Sequence, residues 1–231
     1  MWPKISLLKT TILVTISLII LSPRYFASAD SMHSQPHLIR LDEPPSGDIN
    51  LPPIPTLSEF IASLEAGNHD QVIGLYIPKM LTARVVQQPI TNPGFVSNAA
   101  GVVTQFRLAD HYGSKGLLVH QNHVGRRFFD LKEGQQIYLI FGNKNYRKFI
   151  VRELLRFQAL TPNSPYSSFR KLGHLKPTYS TVELFNWVYG KRDRLILQTC
   201  IEVDRNPNWG RYFIVATPQS DLPKSSIRFQ R

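Results

Sequence analysis

The sequence predicts a mainly β fold in which the strands form a closed barrel or a sandwich. From residue 71 onward, short runs rich in β-branched and aromatic residues alternate with turn residues. These runs cover residues 72–77, 81–86, 102–108, 116–119, 136–141, 146–157, 194–199 and 212–217. Eight short strands with few helices between them are typical of barrels and sandwiches.

Residues 1–29 have the pattern of an export signal. Lys4 and Lys9 make the start positive, an apolar run covers 11–21, and Ala27-Ser-Ala29 is a small-residue cleavage pattern. The apolar run is shorter than the roughly 20 residues that a membrane-spanning helix needs. We therefore expect a cleaved signal peptide rather than a retained membrane anchor. Either one places the rest of the chain outside the cytoplasm, secreted or anchored at the cell surface.

The remainder of the chain divides into a linker, a domain and a tail. Residues 30–56 contain six prolines among polar residues, which favours an extended segment with little to bury. The predicted strands all fall within residues 57–218, which we expect to form one folded domain. Residues 219–231 are predicted to be a short basic tail.

Two short amphipathic helices are predicted in this domain. Thr56-Leu-Ser-Glu59 offers a capping box, and apolar residues follow at helical spacing until Gly67. Ser180-Thr-Val-Glu183 offers a second capping box for a helix over 180–189, which Gly190 ends. We expect each helix to lay its apolar face against the strands.

Charge and cysteine content limit the function classes. The formal net charge is +11, and the chain stays basic if residues 1–29 are removed. This excess suits anionic polymers or phospholipid head groups, and charge alone does not separate these from nucleic acid. A single cysteine, Cys200, excludes an intrachain disulfide. An unpaired thiol outside the cytoplasm is expected to be either buried or used in chemistry.

Cys200 and Arg211 stand at facing ends of two β-rich runs. Cys200 closes the first run, Arg211 opens the second, and a polar loop over 202–208 is predicted between them. If the runs are neighbouring strands, a thiol and a permanent cation lie at the same end of a sheet. A guanidinium there can hold a thiolate or stabilise the oxyanion that forms when the thiolate attacks a carbonyl. This arrangement needs a base to form a nucleophile site.

Among seven histidines, His120 is the best candidate base. It ends the apolar run 116–119 and enters a polar turn over 121–125, where a rigid strand presents a side chain to a site. His123 lies in the same turn and is kept as an alternative base. The other histidines fall in the linker, in turn-like segments or in a polar loop: His33, His37, His69, His111 and His174.

Three motifs around these residues resemble those of the sortases. In that family a strand-end histidine is followed by a glycine, a phenylalanine and a Leu-Lys-x-Gly turn, the nucleophile lies in a Leu-x-Thr-Cys element, and an arginine opens the final strand. The matching residues are His120-Gln-Asn122, Gly125, Phe128, Leu131-Lys-Glu-Gly134, Leu197-Gln-Thr-Cys200 and Arg211-Tyr-Phe-Ile-Val-Ala216. Their order along the chain also agrees, and the resemblance runs from about residue 72 to 218.

The resemblance implies a fold and an activity. It implies a closed eight-stranded sortase-like β-barrel with a few short helices, acting as a cysteine transpeptidase of the hydrolase class. Cys200 would attack a sorting signal in exported proteins and form an acyl-thioester, His120 would move protons, and Arg211 would stabilise the oxyanion. An amine acceptor at the cell surface would then take the acyl group. It implies no cofactor, and the sequence supports no metal site.

Several alternatives stay open from the residues. A related thiol hydrolase would release its product to water. Arg205, in the predicted polar loop, could reach in place of Arg211, and Cys200 could be a buried strand-end cysteine without chemistry. A rival from another class is a non-catalytic, secreted basic barrel that binds an anionic polymer. With the family resemblance, we expect protein substrates, contact with the membrane if residues 1–29 are retained, and no nucleic acid.

Overall fold

The computed structural model describes residues 53–219. The predicted export signal, residues 30–52 of the predicted linker and residues 220–231 of the predicted tail lie outside this range. The described strands are β1 (Val72–Ile77), β2 (Leu81–Gln87), β3 (Val102–Phe106), β4 (Lys115–Leu118), β5 (Gln136–Phe141), β6 (Tyr146–Ala159), β7 (Phe169–Lys171), β8 (Thr178–Tyr179), β9 (Leu195–Val203) and β10 (Asn206–Pro218). The α-helices are α1 (Leu57–Ser63), α2 (Arg107–His111) and α3 (Thr181–Tyr189), and a 3-10 helix covers Val124–Asp130.

Eight of these strands form a closed ring. Their order is β10-β9-β4-β3-β2-β1-β5-β6, and β6 pairs again with β10 along most of its length. The pairs β2–β3 and β4–β9 are parallel and the others are antiparallel. Strands β7 and β8 extend the sheet outward from β6. The predicted closed barrel is confirmed, and the alternative prediction of a β-sandwich is wrong.

Alternate residues of β9 and β10 face two separate hydrophobic cores. Leu197 and Ile214 face the core inside the barrel. Ile196 and Phe213 face an outer core that also contains the buried face of α3. Because side chains alternate along a strand, every second residue of β9 lies on the side covered by α3. This alternation determines which residues of β9 lie inside the barrel and which lie on its outer side beside α3.

Helix α3 forms as its sequence predicts. The Ser180 hydroxyl accepts a hydrogen bond from the Glu183 backbone N–H, and the Glu183 side chain accepts one from the Ser180 backbone N–H. The buried face includes Leu184, Val188 and Tyr189, at the spacing expected for one side of a helix. Burial of such residues typically stabilises a fold by about 1.5–3 kcal/mol each, so packing against the outer core holds α3 in place.

Helix α1 covers another part of the barrel. Its N-terminal cap is the predicted capping box of Thr56 and Glu59. Phe60 packs beside Tyr76 of β1, with ring centroids 6.1 Å apart. The Lys144 ammonium donates to the backbone carbonyls of Ile61 and Leu64, which closes the end of the helix. No helix within residues 53–219 is long and apolar enough to cross a membrane.

The predicted loop over 202–208 is wrong in its extent. Strand β9 continues to Val203 and β10 begins at Asn206, so only Asp204 and Arg205 form the turn. Glu202 and Pro207 are exposed, since this end of the hairpin lies largely in solvent. Polar residues are therefore tolerated in a strand there, so the polar run over 202–208 does not indicate a loop. Cys200 consequently lies three residues before the end of its strand.

Other differences concern short elements. The strand predicted over 102–108 ends at Phe106, and α2 begins at Arg107. Ala109 of α2 is buried, so the apolar run continues through a change from strand to helix, which periodicity cannot separate over a few residues. The strand predicted over 116–119 covers Lys115–Leu118, and the strand predicted over 212–217 is lengthened to Asn206–Pro218. Strands β7 and β8 have three and two residues, which is too short for an alternating hydrophobic pattern to predict them.

Candidate active site

Cys200 and Arg211 lie directly opposite each other in the β9–β10 ladder. The register pairs Arg211 with Cys200 and Phe213 with Gln198. Directly paired residues point to the same side of a sheet, so the thiol and the guanidinium share the face that carries α3. The predicted juxtaposition of a thiol and a cation at neighbouring strands is thus confirmed in the geometry. Cys200 is half-buried, and it is a free cysteine.

His120 reaches the same place from strand β4. The parallel β4–β9 pair matches Leu118 with Gln198, and the Val119 backbone N–H donates to the Gln198 carbonyl over 3.1 Å. His120 follows Leu118 by two residues, as Cys200 follows Gln198. The strand pairing therefore brings the imidazole and the thiol to the same row of the sheet.

His120, Cys200 and Arg211 all line one small pocket. The pocket has a volume of about 30 Å³. Its lining residues are Val96, Leu118, Val119, His120, Gln198, Thr199, Cys200 and Arg211. A volume of this size holds water-sized groups only, so a peptide would lie across the mouth of the pocket and place a single carbonyl inside it.

Burial lowers the pKa of His120 below its usual value of 6.5. The backbone of Val96 opposes this shift, and the ring of His123, whose centroid lies 6.0 Å away, adds to it. The Nε2 atom of His120 is buried and has no hydrogen-bond partner within residues 53–219. At neutral pH the ring is therefore mainly uncharged, which is the form that can accept a proton.

Arg211 is a buried cation, with 4% of its surface exposed. Its Nη1 donates to the carbonyl oxygens of Gly210 over 2.9 Å and of Asn208 over 3.3 Å. No carboxylate within residues 53–219 forms an ion pair with it. Neutral acceptors hold the guanidinium without cancelling its charge, so its field is available to an oxyanion in the pocket.

The alternatives to His120 and Arg211 lie further out. Arg205 is exposed in the β9–β10 turn and does not line the pocket. His123 stands beside His120 but is likewise not part of the lining. Phe128, the phenylalanine of the histidine motif, is fully buried in the core inside the barrel and does not line the pocket.

Gly125 explains why the His120 turn can fold against β9. A Cβ atom at this position would lie 2.5 Å from the Thr199 Oγ1 and 2.6 Å from the His120 carbonyl oxygen. Both distances are too short for any side chain, so only glycine lets the turn approach the strand this closely. The glycine of the histidine motif thus has a packing role beside the pocket.

Sequence reasoning missed two residues of the pocket. Gln198 was quoted as part of the cysteine motif but given no role, although its position two residues before Cys200 predicts the same face of the strand. Val96 lies in an irregular segment between β2 and β3, and nothing in its sequence context links it to His120. Within residues 53–219, no cluster of three or more His, Cys, Asp or Glu side chains is placed to hold a metal ion.

Solved structures with a similar fold include several sortases. Sortase A from Listeria monocytogenes aligns at 16% sequence identity over 65% of this chain and 88% of its own, with a TM-score of 0.40. Sortase A from Corynebacterium diphtheriae aligns at 12% identity over 69% and 65%, with a TM-score of 0.43. Sortase C-1 from Actinomyces oris aligns at 13% identity over 72% and 82%, with a TM-score of 0.44. No protein-family model and no curated protein matches the sequence significantly.

Proposed function

We propose that this protein is a sortase-like cysteine transpeptidase that acts on exported proteins. The observation that carries the proposal is the convergence of Cys200, His120 and Arg211 on one pocket from strands β9, β4 and β10. A nucleophile, a proton carrier and an oxyanion donor are the three groups that acyl transfer through a thioester requires. The motifs around these residues, in the same order as in sortases, support the same reaction.

The first half of the reaction forms a thioester. The uncharged ring of His120 accepts the proton of the Cys200 thiol, and the sulfur attacks the carbonyl carbon of a peptide bond. The tetrahedral intermediate collapses when the carbon–nitrogen bond breaks. The leaving amine takes the proton from His120, so the acyl group remains on Cys200 and the ring is uncharged again.

The second half reverses the roles. An incoming amine attacks the thioester carbonyl, His120 accepts a proton from that amine, and the sulfur leaves and recovers the proton. Water in place of the amine gives hydrolysis. In both halves Arg211 donates to the oxygen that carries negative charge, a contact whose loss typically lowers kcat by about 10²-fold to 10³-fold.

The rest of the chain fits this assignment. Residues 1–29 would direct export or anchor the protein at the membrane, residues 30–56 would act as a spacer, and residues 57–218 would be the catalytic domain, followed by the basic tail. An enzyme arranged in this way works at the cell surface. Its substrates are other exported proteins that carry a sorting signal, and its acceptor is a surface amine.

The test is turnover of a peptide library with and without an added amine, followed by mass spectrometry. We expect a subset of peptides to be cleaved, an adduct on Cys200, and an amine-linked product only when the amine is present. A Cys200→Ala variant is expected to keep its fold, measured by circular dichroism, and to form no adduct. An adduct that persists in this variant would refute the assignment, and cleavage without any amine product would establish a hydrolase instead.

A further inference from the structure

Gln198 is a polar side chain in the pocket that the proposed reaction does not use. It lies two residues before Cys200 on β9, on the same face, and lines the same pocket. Two residues of a strand span about 6.5 Å, which is also the repeat of an extended peptide. A peptide lying along the strand with its attacked carbonyl at Cys200 therefore places another of its polar groups next to Gln198.

The orientation of the Gln198 amide is fixed from α3. The Tyr189 hydroxyl donates to the Gln198 Oε1 over 2.7 Å. Tyr189 is 2% exposed, and burial raises the pKa of its hydroxyl, so the hydroxyl keeps its proton and stays a donor. This bond holds the amide oxygen towards Tyr189, so the two N–H donors of the amide nitrogen are left for another partner.

Strand β4 leaves room for the Tyr189 ring because it has a glycine, Gly116, beneath that ring. A Cβ atom at Gly116 of β4 would lie 3.0 Å from the Tyr189 Cε1 and 2.9 Å from the Ala109 Cβ. Phe106 packs edge-on against the same ring, with centroids 5.4 Å apart. Tyr189 is thus held between β4 and Phe106, and a rigid donor of this kind fixes its acceptor without further loss of side-chain freedom.

Within residues 53–219, the Gln198 side chain has one hydrogen bond, which its Oε1 accepts from Tyr189, and its Nε2 has none. It carries two N–H donors, and Gln198 is half-buried beside the pocket. From this geometry we propose that Gln198 is a substrate-positioning residue, oriented by Tyr189, whose amide donates to an oxygen acceptor of the bound peptide near the scissile bond. The proposal rests on the proposed function only in that an extended peptide lies along β9 with its attacked carbonyl at Cys200.

The chemistry also defines what the peptide must carry. A neutral amide donor favours an uncharged side chain with an oxygen acceptor, such as Asn, Gln, Ser or Thr. A neutral hydrogen bond is worth about 0.5–1.5 kcal/mol, which corresponds to about a 2-fold to 10-fold change in affinity. Gln198 therefore contributes to specificity at one substrate position rather than to the chemical step.

Binding can be measured without the reaction by using the Cys200→Ala background. We propose to equilibrate this variant with a positional-scanning library of acetylated octapeptide amides and to identify the retained peptides by mass spectrometry. Gln198→Leu is expected to lower retention by about 2-fold to 10-fold and to remove the preference at one position. Tyr189→Phe, which keeps the ring, is expected to give a smaller loss at the same position.

The chain offers a matched control on another strand. The Tyr138 hydroxyl donates to the Gln136 Oε1 over 2.9 Å on β5, and neither residue lines the pocket. Gln136→Leu and Tyr138→Phe remove the same kind of bond, and they are expected to leave the library profile unchanged.

The outcomes separate this inference from the proposed function. Equal library profiles for Cys200→Ala with and without Gln198→Leu overturn the role of Gln198, and so does retention of no peptide by either protein. If peptides are retained and Gln198 alters their profile, but none acylates Cys200 in the unmodified chain, the transpeptidase proposal fails while the Gln198 assignment stands. Equal losses from the Gln136 and Gln198 variants would show a general effect of stability and overturn the assignment.

Discussion

His120 is the side chain in which burial has the clearest chemical effect. Burial in the pocket removes water from the ring, and no protein group within residues 53–219 replaces that water at Nε2. A charged ring would be poorly stabilised there, so the neutral form dominates. The same burial that prepares the ring to accept a proton makes its protonation costly to the folded state.

This cost predicts a pH dependence of stability. The pKa of His120 is lower in the folded chain than the value of 6.5 expected when unfolded, so the unfolded chain binds more protons between the two values. The contribution of His120 is fully present above 6.5 and is lost as the pH falls through the folded pKa. Urea unfolding at a series of pH values should show this decline, and His120→Gln should flatten it.

A second histidine serves as the control for that measurement. His174 is exposed, and His174→Gln should leave the pH dependence of the urea midpoint unchanged. Parallel curves for the unmodified chain and His120→Gln would contradict the assignment of a buried neutral ring.

Among the elements, the β9–β10 hairpin positions Cys200 and Arg211, two of the three side chains to which we assign the proposed reaction. Val203 pairs with Asn206, and Asp204 and Arg205 form a two-residue turn with φ values of 51° and 62°. Positive φ at both positions is typical of a type I′ turn, where Asn-Gly is preferred. A non-glycine residue in this region is strained by about 1–2 kcal/mol. The hairpin is therefore held by its ladder rather than by its turn sequence.

The turn sequence can be improved without touching the pocket. The double substitution Asp204→Asn with Arg205→Gly should raise the free energy of unfolding by about 1 kcal/mol, because both new residues accept positive φ more readily. Urea unfolding measures the gain. The variant should form the Cys200 acyl-enzyme as before, since Arg205 does not line the pocket. Loss of the acyl-enzyme would instead give Arg205 the oxyanion role assigned here to Arg211.

The elements also show what sequence patterns can and cannot predict. Strands β1 and β5 follow strong β patterns and form at the predicted bounds, and α3 begins at the predicted cap Ser180. Three of the pocket residues, His120, Cys200 and Arg211, could be predicted because the motifs around them occur in a known order. Gln198 was given no role because the role proposed for it depends on Tyr189, nine residues earlier on α3, and no strand or helix pattern predicts a hydrogen bond between the two elements.

At the scale of the whole molecule, the positive charge has a predictable effect that is separate from the pocket. The net charge of +11 should attract the chain to anionic surfaces. Each Lys or Arg near an anionic membrane contributes about 1 kcal/mol, and the attraction weakens as salt shortens the screening length from about 10 Å at 0.1 M to about 3 Å at 1 M.

This effect separates the enzyme from a non-catalytic electrostatic binder. Binding to vesicles with anionic head groups, measured by sedimentation, should fall steeply with salt and should not change when Cys200 is alkylated. Peptide turnover should respond in the opposite way, with complete loss on alkylation and a weaker response to salt. Alkylation that leaves turnover intact would contradict a thiol mechanism and favour the electrostatic binder.

The pairing of β6 with β10 closes the barrel and leaves little backbone free to pair with another chain. Within residues 53–219, the outermost strand of the sheet is β8, which has only two residues. Long unpaired strand edges are the usual template for aggregation of β proteins. A barrel closed in this way should tolerate crowding at high local concentration, where an open sheet of the same composition would join its neighbours edge to edge.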